Sequence, residues 1–137
     1  MAGSFVLDNS VAMSWCFEDE CSEYADKVLE RLQTEDAIVP AIWPLEVANV
    51  LVAAERRKRL TAADSTRFVK LLQDLPIVVA EQEPDRTLAD VLALARASRL
   101  SSYDASYLDL AMTSGLPLAT LDTNLQKAAR KAIVELV

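Results

Sequence analysis

The chain contains no histidine. That removes Ser-His-Asp and Cys-His nucleophilic catalysis, zinc sites of the HExxH kind, and any imidazole general base. Cysteine is nearly as scarce. Cys16 and Cys21 are too few for a disulfide framework and have no Cys or His companions at zinc spacing, so a reducing cytoplasm is the expected setting. No apolar run reaches the roughly 20 residues that cross a bilayer, and no basic segment leads into an apolar signal core, so neither export nor membrane insertion is expected. Linkers, repeats and low-complexity tracts are absent. Basic residues are outnumbered, 14 Lys and Arg against 21 Asp and Glu, for a net charge of -7. On average that argues against a nucleic-acid partner, because affinity for phosphate comes from Lys and Arg; a local basic rim and bound cations reverse the sign where they sit.

What is present reads as one compact domain over residues 1–137, with 52% hydrophobic and 26% charged residues. Short apolar runs alternate with amphipathic segments. "SFVL", "AIVP", "IVVA" and "PLATL" are predicted strands, and "AIVEL" a possible fifth. Between them lie a short helix capped by Ser10, a helix over "CSEYADKVLERLQ", and one with Pro44 in its first turn that runs to "RRKR". A helix capped by Thr61 turns Phe68, Leu71, Leu72 and Leu75 inward, and one over 84–98 does the same with Leu88, Val91, Leu92 and Ala95. Ser101 or Ser102 opens another, which Gly115 stops, and "TNLQKAARK" forms the last. Short, uniformly apolar strands separated by helices predict an α/β sandwich with a parallel sheet buried on both faces. Sites in such sheets form beyond the carboxyl ends of the strands.

Two predicted strands stop at a carboxylate: "FVLDNS" at Asp8 and "LATLDTNL" at Asp122. Glu46 lies one turn into the helix after the second strand, and Asp104 in the first turn of "SSYDASYLDLA". Singly, each has an ordinary reading as a helix-start or turn acid, which the helix dipole favours by about 0.3–1 kcal/mol. Together they suit one pocket. Two like charges about 4 Å apart repel by about 4 kcal/mol at an effective dielectric of about 20. A cluster of four therefore needs protons or a divalent cation. With oxygen ligands alone the suited ions are hard ones, Mg²⁺ or Mn²⁺, and they allow hydrolysis without histidine. Asp109, five positions after Asp104, points elsewhere on the same helix and is left out of the set.

In order along the chain, "FVLDNSVAMSW", "PLEVANVL", "SSYDASYLDLA" and "LATLDTNLQKAA" resemble the PIN-domain ribonucleases, and within them the VapC-type toxins of bacterial toxin-antitoxin pairs. The resemblance covers essentially the whole chain. It implies a three-layer α/β/α sandwich around a mostly parallel sheet of four to five strands. It also implies a Mg²⁺- or Mn²⁺-dependent endoribonuclease, with Asp8, Glu46, Asp104 and Asp122 as the catalytic and metal-binding acids. Ser10 and Thr120 match positions where the family places a hydroxyl, and Asn9, Asn49 and Asn124 are candidates to orient the acids or water in the same way. Capping and turn chemistry is the competing reading for Ser10 and Asn124.

Lys127, Arg130 and Lys131, on the helix after Asp122, are placed to meet an RNA backbone, whereas Arg56, Arg57, Lys58 and Arg59 read as a solvated helix end. Trp15, Trp43, Tyr103 and Tyr107 read as core before they read as base-stacking residues. The implied partners are an RNA substrate, a second copy in a homodimer, and a VapB-type antitoxin in a groove lined by Trp15, Val50 and Leu51. Such an antitoxin would insert an Arg among the acids. Three other classes stay open. One is another Mg²⁺-dependent phosphoryl hydrolase, although "DNSVA" lacks the Asp-x-Asp-x-Thr motif of the familiar phosphatases. The others are a non-catalytic PIN-like RNA- or protein-binding module, and an interaction protein whose acids are helix caps.

Overall fold

The computed structural model describes residues 4–137; of the single domain expected over 1–137, residues 1–3 lie outside the described residues. Four strands, β1 (Ser4–Leu7), β2 (Asp36–Val39), β3 (Ile77–Val79) and β4 (Leu118–Ala119), form one sheet in the order β3-β2-β1-β4. Every pairing is parallel, with Phe5 opposite Ala37, Ala37 opposite Ile77, and Leu7 opposite Ala119. All four carboxyl ends therefore emerge on one edge. The helices are α1 (Asn9–Ser14), α2 (Glu23–Arg31), α3 (Trp43–Arg56), α4 (Ala62–Asp74), α5 (Pro84–Arg86), α6 (Leu92–Ser98), α7 (Ser102–Ser114) and α8 (Thr123–Lys131). They cover the sheet as the outer layers of a three-layer α/β/α sandwich. Among the described residues no helix is long and apolar enough to cross a membrane.

The chain moves outward from β1 to β2 and β3, then returns across the sheet to place β4 on the other side of β1. The seam between β1 and β4 is thus the switch point of the topology, where the loops leaving two neighbouring strands diverge and open a crevice. β1 is buried throughout its apolar stretch, with Phe5, Val6 and Leu7 at 0% exposure. Leu118 and Ala119 of β4 are equally buried, so the seam is sealed from below by apolar contact.

Helix ends follow local chemistry. Ser22 caps α2 by accepting from the Ala25 N–H at 3.2 Å. Thr61 and Asp64 form a reciprocal capping box at α4, with bonds of 3.1 and 3.0 Å. Ser101 rather than Ser102 caps α7, and Gly115 ends it at φ 65°, the left-handed position a glycine takes without strain.

Several expectations are corrected. "AIVEL" is not a fifth strand: Ile133 turns to φ 59°, out of the extended region, and only a bridge between Leu118 and Leu136 remains. β3 is an edge strand rather than one covered on both faces, and Val78 and Val79 are exposed. The helical stretch over 84–98 contains a π turn at Thr87–Val91, whose wider winding rotates the apolar face, so Val91 and Ala95 are buried while Leu88 and Leu92 are exposed. Leu71 likewise faces outward, while Phe68 and Leu72 carry the packing of α4.

The central strand sets the expected stability pattern. Leu7→Ala should lower the unfolding free energy by about 2–5 kcal/mol, while Leu45→Ala, at 67% exposure, should change it by less than about 0.5 kcal/mol; urea denaturation of both variants checks the contrast.

Candidate active site

Asp8 follows β1 directly and is the N-cap residue of α1 by backbone position, but its side chain does not cap the helix. It is 4% exposed, and its Oδ2 accepts from Ser10 Oγ at 2.6 Å and from Thr120 Oγ1 at 2.8 Å. Each hydroxyl also accepts a backbone N–H: Ser10 from Leu121 across the seam at 3.0 Å, and Thr120 from Asp122 within its own turn at 3.0 Å. A hydroxyl has one proton to give. Both are committed to Asp8, so the 3.4 Å approach of the two oxygens is proximity rather than a bond. The two hydroxyls clamp Oδ2 and leave Oδ1 to other contacts. Ser10 is therefore not the helix cap that its position promised. Its hydroxyl is drawn to the buried charge next to it, as is that of Thr120, which lies just past β4 at 1% exposure.

Asp122 leaves the same seam three residues after β4. It caps α8, accepting from the Leu125 N–H at 2.9 Å through Oδ1. Gln126 bonds back to the Thr120 carbonyl at 3.0 Å and fixes this turn. Glu46, in the first turn of α3, accepts from the Tyr107 hydroxyl at 2.5 Å. Asp104, in the first turn of α7, is held by its backbone, whose N–H donates to Ser101 Oγ. Glu46, Asp104 and Asp122 are half-buried. The ordinary reading of helix-start acids is thus correct for the backbone positions and incomplete for the side chains.

The four carboxylates act on one another. Burial pushes the Asp8 carboxyl above its ordinary value, against the hydrogen bonds from Ser10 and Thr120. Burial is also the largest cause of the rise at Glu46, with the charges of Asp8 and Asp104 adding to it. Asp104 rises for the same first reason, with Asp8 and Asp122 adding. Not one of the four pairs with a Lys or Arg among the described residues, although seven such ion pairs form elsewhere. Asp109 is the contrast: it is buried on the same helix as Asp104, faces away, and is met by Arg86 at 2.5 Å.

The remaining candidates divide. Asn9, Asn49 and Glu46 line one cavity of about 430 Å³ together with Ile42, Leu45, Val50 and Tyr103. The Asn9 Oδ1 is buried there without a hydrogen-bond partner. Asn124 is exposed, makes no side-chain bond to an acid, and lines a different groove with Arg99, Lys127 and Lys131. Arg130 is exposed and outside that groove. Trp43 and Tyr107 are core and Tyr103 is exposed. Trp15, Val50 and Leu51 do not share a groove, because each opens into a separate depression.

Tyr107 and Gln126 are the contacts that sequence reasoning missed. The spacing of Tyr107 three residues after Asp104, on one helix face, was the available signal for the first. For Gln126 there was none.

A divalent cation fits this donor set in chemistry: oxygen ligands only, charge left unneutralised, and a buried amide oxygen without a partner beside them. The acids do not form a closed cage. Among the described residues no three acidic or cysteine side chains stand together as ready metal ligands.

The raised acids have a consequence for stability. A carboxyl that holds its proton more tightly when folded contributes stability in full below its unfolded value, near pH 4, and loses it as pH rises through the folded value. Asp8, Glu46 and Asp104 all act in this direction. In metal-free buffer Asp8→Asn should melt higher than wild type at pH 7, with the gap closing toward pH 4. Thermal melts across that range measure it, and a variant melting lower at pH 7 would mean that the hydroxyl clamp outweighs burial.

A search of curated proteins finds no match. Solved structures do match. PAE2754 of Pyrobaculum aerophilum is 27% identical, with a TM-score of 0.71 over 93% of this chain and 87% of that one. VapBC2 of Rickettsia felis, bound to a DNA fragment from their promoter, is 7% identical, with a TM-score of 0.67 over 98% and 97%. FitAcB of Neisseria gonorrhoeae is 18% identical, with a TM-score of 0.64 over 96% and 95%. The family model of the PIN domain matches residues 5–131, which contain all four acids. The chain belongs to the PIN-domain family.

Proposed function

We propose that this chain is a metal-dependent endoribonuclease, the toxin of a toxin-antitoxin pair, in which Asp8, Glu46, Asp104 and Asp122 hold a Mg²⁺ or Mn²⁺ ion. PIN domains are generally nucleases. The observation that carries the reading is the set of four carboxylates around the switch point of a parallel sheet, with no Lys or Arg paired to any of them among the described residues, and with burial raising Asp8, Glu46 and Asp104 and the neighbouring acids adding to the rise at Glu46 and Asp104. When bound, a hard divalent ion lowers the pKa of a water ligand and stabilises charge on an attacked phosphate. The chain's part is to present oxygen ligands and keep them oriented. Ser10 and Thr120 hold Asp8 on one oxygen, and the α8 backbone holds Asp122. In hydrolysis the water oxygen bonds to phosphorus, the bond to the leaving ribose oxygen breaks, and that oxygen takes up a proton.

The RNA reading draws on a second surface. The groove of about 600 Å³ between the end of α6 and α8 is lined by Arg99, Lys127 and Lys131, with no acidic residue in its lining. Among the described residues none of the three cations is in an ion pair. The same helix begins at Asp122, so a backbone lying along this groove leads toward the acids. Such a strip answers the objection from a net charge of -7.

An antitoxin is supported by the neighbours VapBC2 and FitAcB, which are antitoxin-toxin complexes. A basic antitoxin side chain would supply the cation that the chain itself withholds from the acids. A homodimer is consistent with the apolar side chains Leu45 and Val52 left exposed on α3.

The test is cleavage of structured RNAs by the purified chain with Mg²⁺ or Mn²⁺. Activity should vanish with chelator and fall by roughly 100-fold or more in Asp8→Asn and Asp122→Asn; equal cleavage by wild type and both variants would sink the mechanism. In the same assay, Lys127→Glu with Lys131→Glu should raise KM for RNA and flatten the dependence of binding on salt, with little change in kcat.

A further inference from the structure

We infer that Tyr107 is the positioning residue for Glu46, fixing the orientation in which that carboxylate faces the other three acids; this rests on the nuclease reading above. Tyr107 is at 0% exposure, the largest fully buried side chain of the molecule's described residues. Its hydroxyl donates to Glu46 Oε1 at 2.5 Å across 61 residues of sequence. The backbone of Asn9, at the start of α1, lies close to the same phenol. The bond therefore joins the first turn of α3 to the face of α7 that carries Asp104, beside the start of α1. Those are the elements that deliver Asp8, Glu46 and Asp104.

The chemistry of the donor matters. An Arg or Lys in this place would hold Glu46 and neutralise it. A phenol holds the carboxylate by one oxygen and leaves its charge intact, with Oε2 outside the bond. Glu46 needs such a hold: it is half-buried, and a free glutamate side chain has several rotamers to choose among. The alternative is that the phenol uses Glu46 merely to satisfy its own buried hydroxyl.

The variants Tyr107→Phe, Glu46→Gln and their combination separate the two. Phenylalanine keeps the ring and its packing. Binding of Mn²⁺ to the metal-free protein is followed by loss of the free-ion paramagnetic signal, beside thermal melts and steady-state RNA cleavage. Tyr107→Phe should melt within about 5 °C of wild type. It should bind Mn²⁺ about fivefold or more weakly and lower kcat about tenfold, with KM for RNA within about twofold. In the Glu46→Gln background it should add little, because the two act through one carboxylate. Unchanged Mn²⁺ affinity in Tyr107→Phe, with or without a drop in melting temperature, overturns the inference; so do losses that add in full in the double variant. A wild-type chain that cleaves no RNA defeats the nuclease reading instead, and the Mn²⁺ measurements still decide the role of Tyr107.

Discussion

The bond from Thr120 Oγ1 to Asp8 Oδ2 spans 112 residues of sequence in 2.8 Å, and the acidic edge is organised around it. It joins the turns that leave β1 and β4, the two strands whose parallel pairing closes the sheet on that side. Through the same hydroxyl the Asp122 backbone is tied to the turn, and through Ser10 the Leu121 backbone is tied to α1. A buried carboxylate without such donors would take up a proton or draw a Lys or Arg toward itself. Two neutral hydroxyls allow the charge to stay where it is and remain unmet. The constraint is one of charge: these groups orient the acid without cancelling it, and Tyr107 does the same for Glu46.

The distribution of cations elsewhere makes the restraint at this edge plain. Arg86 reaches the buried Asp109 and the exposed Asp90 together. Arg59 meets Asp19 and Glu20 while its guanidinium lies over the Phe17 ring. Arg31 is bidentate to Glu35. The fold is therefore able to pair its acids and does so at several places, the buried one included. At Asp8, Glu46, Asp104 and Asp122 it does not; burial raises Asp8, Glu46 and Asp104 above ordinary carboxyl values, and the charges of neighbouring acids add to the rise at Glu46 and Asp104.

Much of this was legible in the sequence because it depends on short-range signals. Apolar runs ending in Asp8 and Asp122 mark strand ends, Pro44 and Thr61 mark helix starts, and Gly115 marks a helix stop. The parallel sheet followed from the alternation of strands with helices. What was not legible depends on distant partners. Ser10 looks like a cap until Asp8 is known to be buried beside Thr120. "AIVEL" reads as a strand because its composition is right, and nothing local announces the left-handed turn at Ile133. The π turn at Thr87–Val91 shifts the helix face by a geometry that periodicity assumes away. Arg99 joins Lys127 and Lys131 only because α6 ends against α8, a contact that no spacing encodes.

The long reach of the β1–β4 seam ties the acidic set to the order in which the chain is made. Contacts between residues this far apart form late, after the intervening loops have closed. A nascent chain that has emerged only as far as Ala119 carries three of the four acids and lacks Thr120, one of the two hydroxyls that clamp the first of them. The site belongs to the completed topology and to no fragment of it.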